Sequence, residues 1–304
     1  MQGSEEVALE AVIRTEKLTK TYGNDRGILE LDLEVRPGEV FGFLGPNGAG
    51  KTTTIRTLLD FLHPTSGTAT VFGLDSRAHS VEIRAATGNL PGEFTLEPRL
   101  TGEELLRYFG RMRGVRDLGY GHELARRLDA DLTRPIGRLS RGNKQKIGLV
   151  QAMFHRPPLL VLDEPTGGLD PLVQESFLDI MRETAQEGRT VFFSSHVLSE
   201  VERVCDRVGI IKEGRLIALE TTDTLLNKRL RRMVLRFSEP VDPGGYEAIE
   251  GVEEARADGD AVILMLRSGL DAVVKLTARH PLVDMELEHP SLEEVFLTYY
   301  GGES

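Results

Sequence analysis

The run Gly45-Pro46-Asn47-Gly48-Ala49-Gly50-Lys51-Thr52 is a complete G-x-x-x-x-G-K-[ST] loop, and no other feature limits the architecture of this chain as much. Val40 to Leu44, just before it, reads as a buried strand, and a helix is expected from Thr53 to Leu62, stopped by Pro64. A loop of this composition between strand and helix is a phosphate cradle. The glycines let backbone N–H groups crowd around a β-phosphate, Lys51 reaches β- and γ-oxygens, and the Thr52 hydroxyl is placed for Mg²⁺. The positive end of the following helix, with Thr53 in its first turn, adds to the attraction for an anion.

Around this loop the sequence alternates between two kinds of unit. Residues 12–45 are rich in strand signals: Val12-Ile13-Arg14, Ile28 to Val35 and Val40 to Leu44, parted by turns at Gly23 to Gly27 and Pro37-Gly38. Gly67 to Gly73 gives another short strand. From Ala78 to about His155 the pattern becomes helical, with Leu105, Leu106, Phe109 and Met112 in one stretch and Leu124, Leu128 and Leu132 in another. This is read as a helical insertion. Leu159 to Leu162 and Thr190 to Phe193 are continuous apolar runs of the kind found in parallel strands covered on both faces, joined by a helix over Val173 to Ala185. Val208 to Leu219 reads as a hairpin turning at Glu213-Gly214.

The length of 304 residues exceeds a usual single core, so two domains are expected, here 1–228 and 229–304. In the second, strands are expected at Met233 to Phe237, near Val252 to Ala257, at Ala261 to Arg267 and at Leu282 to Leu287. Helices are expected at Leu270 to His280 and Leu292 to Tyr299. That order suggests a ferredoxin-like α+β sandwich. The net charge of −11, with eight Lys/Arg against fifteen Asp/Glu in residues 229–304, speaks against a nucleic-acid partner, which needs a basic face. Cys205 is the single cysteine, so no internal disulfide forms and a reducing compartment is expected. No apolar run reaches membrane-spanning length and Met1 to Glu10 is acidic rather than a leader. A cytoplasmic chain, peripheral to a membrane only through a partner, is therefore the expectation.

The apolar run Leu159 to Leu162 ends in Asp163-Glu164, two carboxylates at the carboxyl edge of a strand, where open α/β sheets bind ligands. The pair divides its work: Asp163 holds Mg²⁺, and Glu164 orients or deprotonates the attacking water. A solvated pair capping a turn is the competing reading when the dipeptide is taken alone. Leu139-Ser140-Arg141-Gly142-Asn143-Lys144-Gln145 precedes another helix, and Ser140 is a good N-cap. A helix N-terminus with a serine, a glycine, Arg141 and Lys144 is an anion receptor.

In this order the motifs resemble the ATP-binding cassette ATPases that drive transporters, over about residues 12–220. The resemblance implies a P-loop ABC-ATPase core of the α/β class, with a mixed β unit, a parallel sheet and a helical subdomain, and the cofactors ATP and Mg²⁺. It makes Ser140, Arg141 and Gly142 part of the family's signature loop, Asp170 part of its D-loop, His196 its switch histidine and Tyr22 the aromatic that stacks on adenine. It further implies a head-to-tail dimer, of two copies or of this chain with a similar cassette, in which the signature loop of one chain closes over the γ-phosphate held by the other. A separate membrane-spanning permease subunit would be the transport partner.

Three positions depart from that pattern. Gly92, in Gly88-Asn89-Leu90-Pro91-Gly92-Glu93, stands where the family usually has a glutamine, and the signature carries Arg141 and Asn143 in place of commoner residues. Such variants resemble drug- and antibiotic-exporter cassettes, whose chains also end in an accessory unit and a tail like His289 to Phe296. The implied function is ATP hydrolysis energising export of a drug, antibiotic or lipid-like substance. The alternative is a soluble cassette ATPase of DNA maintenance or translation, against which stand the acidic charge and the lack of a long coiled coil, zinc cysteines or a second cassette. A kinase or GTPase on the same loop leaves Leu139 to Gln145 without a use.

Overall fold

The computed structural model describes residues 11–23, 25–227 and 231–288. It divides into two compact units, the break falling between Thr221 and Thr222; the boundary expected at residues 228 and 229 lies outside the described residues.

The first unit opens with β1 (Ile13–Tyr22), β2 (Asp25–Val35) and β3 (Val40–Leu44), followed by α1 (Lys51–Leu58), β4 (Ser66–Val71) and β5 (Leu74–Asp75). Next come α2 (Ser80–Ala86), β6 (Thr87–Leu90), α3 (Gly102–Arg113), α4 (Gly119–Arg127), a 3-10 turn at Ile136–Arg138 and α5 (Arg141–Met153). The unit closes with β7 (Leu159–Asp163), α6 (Pro171–Gln186), β8 (Thr190–Ser195), α7 (Leu198–Val204), β9 (Arg207–Lys212) and β10 (Arg215–Thr221).

Two sheets result. One is antiparallel, in the order β2-β1-β4-β5; the other has six strands in the order β10-β9-β3-β8-β7-β6. In the second sheet β9, β3, β8, β7 and β6 run parallel and β10 pairs back on β9 as the expected hairpin. Every residue of β3, β7 and β8 is buried, which is why these strands read as unbroken apolar runs rather than as alternation. Ile13, Leu31 and Val35 of the first sheet and Phe41, Phe43 and Phe192 of the second belong to one core, with Ile55 and Leu58 of α1 among them. The fold therefore clamps the phosphate-loop helix between two sheets.

Three expectations need correction. First, α1 begins at Lys51, not Thr53, because Gly50 takes a φ of 115° and ends the loop one residue before the lysine. Second, the stretch from Ala78 is not helical throughout: after α2, β6 lies inside it and pairs with β7 as the parallel edge strand of the main sheet, so the longer helical insertion begins only beyond Leu90. Gly88 in the middle of β6 hid the strand, and it is there for space: a Cβ would sit 2.1 Å from the carbonyl oxygen of Ala152. Third, Met112 does not turn inward with Leu105 and Leu106 but is 65% exposed. α3 itself is well specified, with a Thr101–Glu104 capping box at one end and Gly114 in the left-handed region at the other.

The second unit contains α8 (Thr222–Asn227), β11 (Arg231–Phe237), α9 (Gly244–Glu247), β12 (Val252–Asp258), β13 (Ala261–Leu266), α10 (Leu270–Thr277) and β14 (Leu282–Glu288). Its four strands form an antiparallel sheet in the order β12-β13-β11-β14, the βαββαβ arrangement of a ferredoxin-like sandwich. Leu235, Phe237, Leu264 and Leu266 pack with Tyr246 and Val273 of the two helices. Helix α9 is one turn long in a stretch rich in Pro and Gly, too short to leave a periodic signal. The last helix expected, Leu292 to Tyr299, lies outside the described residues.

Candidate functional site

The parallel register of the main sheet assembles the site. Leu44 at the end of β3 pairs with Ser195 of β8, and Asp163 at the end of β7 pairs with Ser194 of β8. Three strands thus stop side by side, and their following turns carry Gly45 to Thr52, Glu164 and His196.

The loop after β3 wraps a cavity of about 280 Å³ lined by Pro46, Asn47, Gly48, Gly50, Lys51, Thr52 and Thr53, with Gly27 and Glu164 on its margin. Gly45 and Ala49 support it from behind: the Gly45 N–H donates to Ser195 O at 3.4 Å and Ala49 O accepts from Gly214 N at 2.9 Å. Gly50 admits no other residue, since its φ is positive and a Cβ would lie 2.9 Å from Gly27 O. The Lys51 side chain is 5% exposed; its ammonium donates to Gly45 O at 2.5 Å and Pro46 O at 3.2 Å and lies 3.1 Å from Glu164 Oε1. A buried cation at the N-terminus of α1 gives the cavity a positive floor.

Asp163 is 1% exposed and accepts two short hydrogen bonds, from Thr52 Oγ1 at 2.7 Å on Oδ2 and from Ser194 Oγ at 2.5 Å on Oδ1. Glu164 takes a φ of 50°, a conformation that costs a non-glycine residue about 1 kcal/mol. Its backbone N–H is fixed in return by Ser194 O at 3.2 Å and Ser194 Oγ at 3.1 Å. The twist sends the Glu164 side chain toward the cavity, where Oε2 meets His196 Nδ1 at 2.7 Å. Phosphate-loop lysine, carboxylate and histidine therefore form one chain of contacts, with the half-exposed His196 at its outer end.

Ser194 is the residue that sequence reading missed. It looked like the tail of an apolar strand, yet its hydroxyl orients Asp163 and its backbone and hydroxyl both hold Glu164. Only the β7–β8 register reveals this.

Ser140, Arg141 and Gly142 do not line the cavity of their own chain. Ser140 caps α5 by accepting from Asn143 N at 3.2 Å, and Ser140 and Arg141 face solvent. Gly142 packs against the turn before α6, where a Cβ would meet Gly168 O at 2.6 Å. Asp170 caps α6, accepting from Val173 N at 3.1 Å, and that bond holds its carboxyl below the ordinary range. The buried Lys146 of α5 reaches Asp170 Oδ2 at 3.4 Å, so signature segment and Asp170 turn form one surface. Tyr22 ends β1, is 48% exposed and has Lys20 Nζ 5.4 Å from its ring centre; it too stands apart from the cavity lining. At Gly92 a Cβ would come within 3.0 Å of Asp163 Oδ2, so the loop after β6 passes directly over the buried carboxylate.

Among the described residues no helix is long and apolar enough to cross a membrane. Residues 28–167 match the family model described as ABC transporter. The chain is 33% identical to the bacitracin transport ATP-binding protein BcrA of Bacillus licheniformis over 97% of its own length and 99% of that protein. It is also 33% identical to the Nod factor export ATP-binding protein I of Rhizobium etli, over 94% and 92% of the two chains. Among solved structures, a dimeric ATP-binding cassette in a post-hydrolysis state, bound to ADP and Pi, superimposes with a TM-score of 0.62 at 21% identity, covering 69% of this chain and 98% of that one. With a glycine-rich loop after β3 and paired carboxylates after β7 brought together by one sheet, and a relative matched over 97% of this chain, the chain belongs to the ABC transporter family as an ATP-binding, ATP-hydrolysing protein.

Proposed function

We propose that this chain is the ATPase subunit of an exporter, working as a head-to-tail dimer on the cytoplasmic face of a membrane and energising a separate membrane-spanning permease. The observation that carries the hydrolytic assignment is the pair of linked contacts Thr52–Asp163–Ser194 and Lys51–Glu164–His196, which join the ends of three strands around one cavity. ATP lies with its phosphates along Gly45 to Thr53 and its adenine toward Tyr22. Mg²⁺ suits the hard oxygens of Thr52 and Asp163, one hydroxyl and one carboxylate, because that ion is usually held by one or two protein oxygens together with substrate phosphates; when bound it neutralises charge on the phosphate oxygens. Glu164 accepts the proton of the attacking water, and His196, hydrogen-bonded to Glu164, holds that carboxylate on line with the γ-phosphate.

The division of the site supports the dimer. Ser140, Arg141 and Gly142 expose a helix N-terminus, an anion receptor, away from the cavity of their own chain, so a second chain is needed to bring it to the phosphates. The dimeric neighbour supports this arrangement by fold alone. Export as the direction, and an antibiotic, drug or lipid-like cargo, rest on the names of the full-length relatives. The partner cassette is either a second copy or a similar chain.

A Glu164→Gln variant tests the reading. It should bind Mg-ATP, accumulate as a dimer in size-exclusion chromatography and release no phosphate. A variant that turns over at the parent rate removes Glu164 from this role.

A further inference from the structure

Behind the Glu164–His196 pair lies a second carboxylate that the hydrolytic assignment leaves without a task. Glu200, in the first turn of α7, is 6% exposed. Its Oε2 accepts the hydroxyl proton of Ser195 at 2.9 Å, and the side chain of Thr166 lies close enough to its carboxylate to favour the charged form. Ser195 Oγ in turn accepts from Val197 N at 2.9 Å, closing the turn from which His196 projects. Thr166 is itself 5% exposed and its carbonyl accepts from Leu169 N at 3.1 Å, in the turn that leads to Asp170. One buried side chain thus lies against two of the three turns that follow the strands of the site, those after β7 and β8.

Such a group is expensive to keep. Burying a carboxylate against hydroxyls costs more than packing an apolar residue of similar size, and burial pushes the Glu200 carboxyl above its ordinary range, with the nearby Glu164 charge adding to the rise. Stability does not account for it; the geometry does. Without Glu200 the Ser195 hydroxyl keeps only the longer contact to Val197 O at 3.4 Å, and the His196 turn is left with Glu164 as its link to the turn after β7.

We infer that Glu200 is a positioning residue for ATP hydrolysis, a buried bracket that sets the His196 turn against the Thr166–Asp170 turn through Ser195 and Thr166. This rests on the roles given above to Glu164 and His196. Because Glu200 acts through hydrogen bonds and lines no part of the phosphate cavity, its removal should lower turnover without weakening nucleotide binding. Misplacing a reacting group by about 1 Å costs up to about a hundredfold.

The experiment compares steady-state Mg-ATP hydrolysis by the full-length protein with that of Glu200→Ala, Glu200→Gln, Ser195→Ala and His196→Ala. Glu200→Ala should lose about ten- to a hundredfold in kcat with KM within about twofold of the parent. Glu200→Gln should recover most of that loss, since its amide oxygen can accept the Ser195 hydroxyl proton in place of Oε2. A parent-like kcat for Glu200→Ala, a loss confined to KM, or a Glu200→Gln variant as poor as Glu200→Ala would each overturn the bracket. If Glu200→Ala does not fold, Ser195→Ala decides: a kcat loss at constant KM supports the inference and parent-like kcat overturns it. Full activity in His196→Ala would bring down the underlying assignment, whereas an inactive His196→Ala beside an active Glu200→Ala would bring down only the role of Glu200.

Discussion

Gly92 offers the sharpest test of how tightly this site is built. Adding a single methyl group there, Gly92→Ala, places a Cβ 3.0 Å from Asp163 Oδ2 and 3.3 Å from Asp163 Cγ. A comfortable approach is about 3.5 Å, so something must give by several tenths of an ångström. The carboxylate cannot give freely, because Thr52 and Ser194 hold its two oxygens at 2.7 and 2.5 Å. The loop can, since Gly92 and Glu93 are exposed. Overpacking costs about 1–3 kcal/mol, and an exposed loop puts the expected value near the lower end. One kilocalorie per mole is about fivefold in an equilibrium or rate and about 2–4 °C in the melting temperature of a unit of this size. Gly92→Ala should therefore lower the rate of Mg-ATP hydrolysis by about fivefold and melt a few degrees early. Gly92→Gln should do no better than alanine, because it carries the same Cβ. The assay is phosphate release against Mg²⁺ concentration, with thermal unfolding in parallel. Parent-like activity and melting in Gly92→Ala, or full activity in Gly92→Gln, would refute the claim that the loop over Asp163 has no room for a side chain.

Gly142→Ala should destabilise the first unit by about 1–3 kcal/mol in urea, because the added carbon would lie 2.6 Å from the backbone oxygen of Gly168; an unmoved midpoint would mean that α5 and that turn separate at no cost. His155, whose burial and proximity to Arg113 lower its pKa from 6.5 to about 4, gives a pH test. The unfolded chain takes up a proton below pH 6.5 that the folded chain refuses until about pH 4, so this contribution to stability is complete above pH 6.5 and lost as pH falls toward 4. Urea midpoints at pH 7 and pH 5 should lie closer together in His155→Gln than in the parent, and equal spacing would exclude His155 as the cause.

Much of this was legible before any coordinates. The phosphate loop, the buried runs of β7 and β8 and the cap at Ser140 announce themselves because their signals are local: a spacing, a block of apolar residues, an N-cap. What escaped is non-local. Ser194 and Asp163 are 31 residues apart and meet only through strand register. Glu200 and Glu202 look alike in Ser199-Glu200-Val201-Glu202, and only the packing of α7 decides that Glu200 goes inside. The edge strand β6 was overlooked because the close approach of α5 demands a glycine within it, and a glycine in a short strand erases the pattern by which strands are read. Gly92 was noticed as an absent side chain; the structure adds that a side chain there would crowd Asp163, its Cβ 3.0 Å from Oδ2.

The lateral pairing of β3, β7 and β8 has a bearing on which changes of length the chain can absorb. Because Leu44 is opposite Ser195 and Asp163 opposite Ser194, adding or deleting one residue within any of these five- and six-residue strands would move every later side chain of that strand to the opposite packed face of the sheet and scatter the machinery. The largely exposed connection between α3 and α4, Gly114 to Leu118, by contrast, can change in length as long as Gly92 and the helix from Arg141 to Met153 keep their places. Variation that adapts the protein to different partners can accumulate there while the hydrolytic centre stays in place.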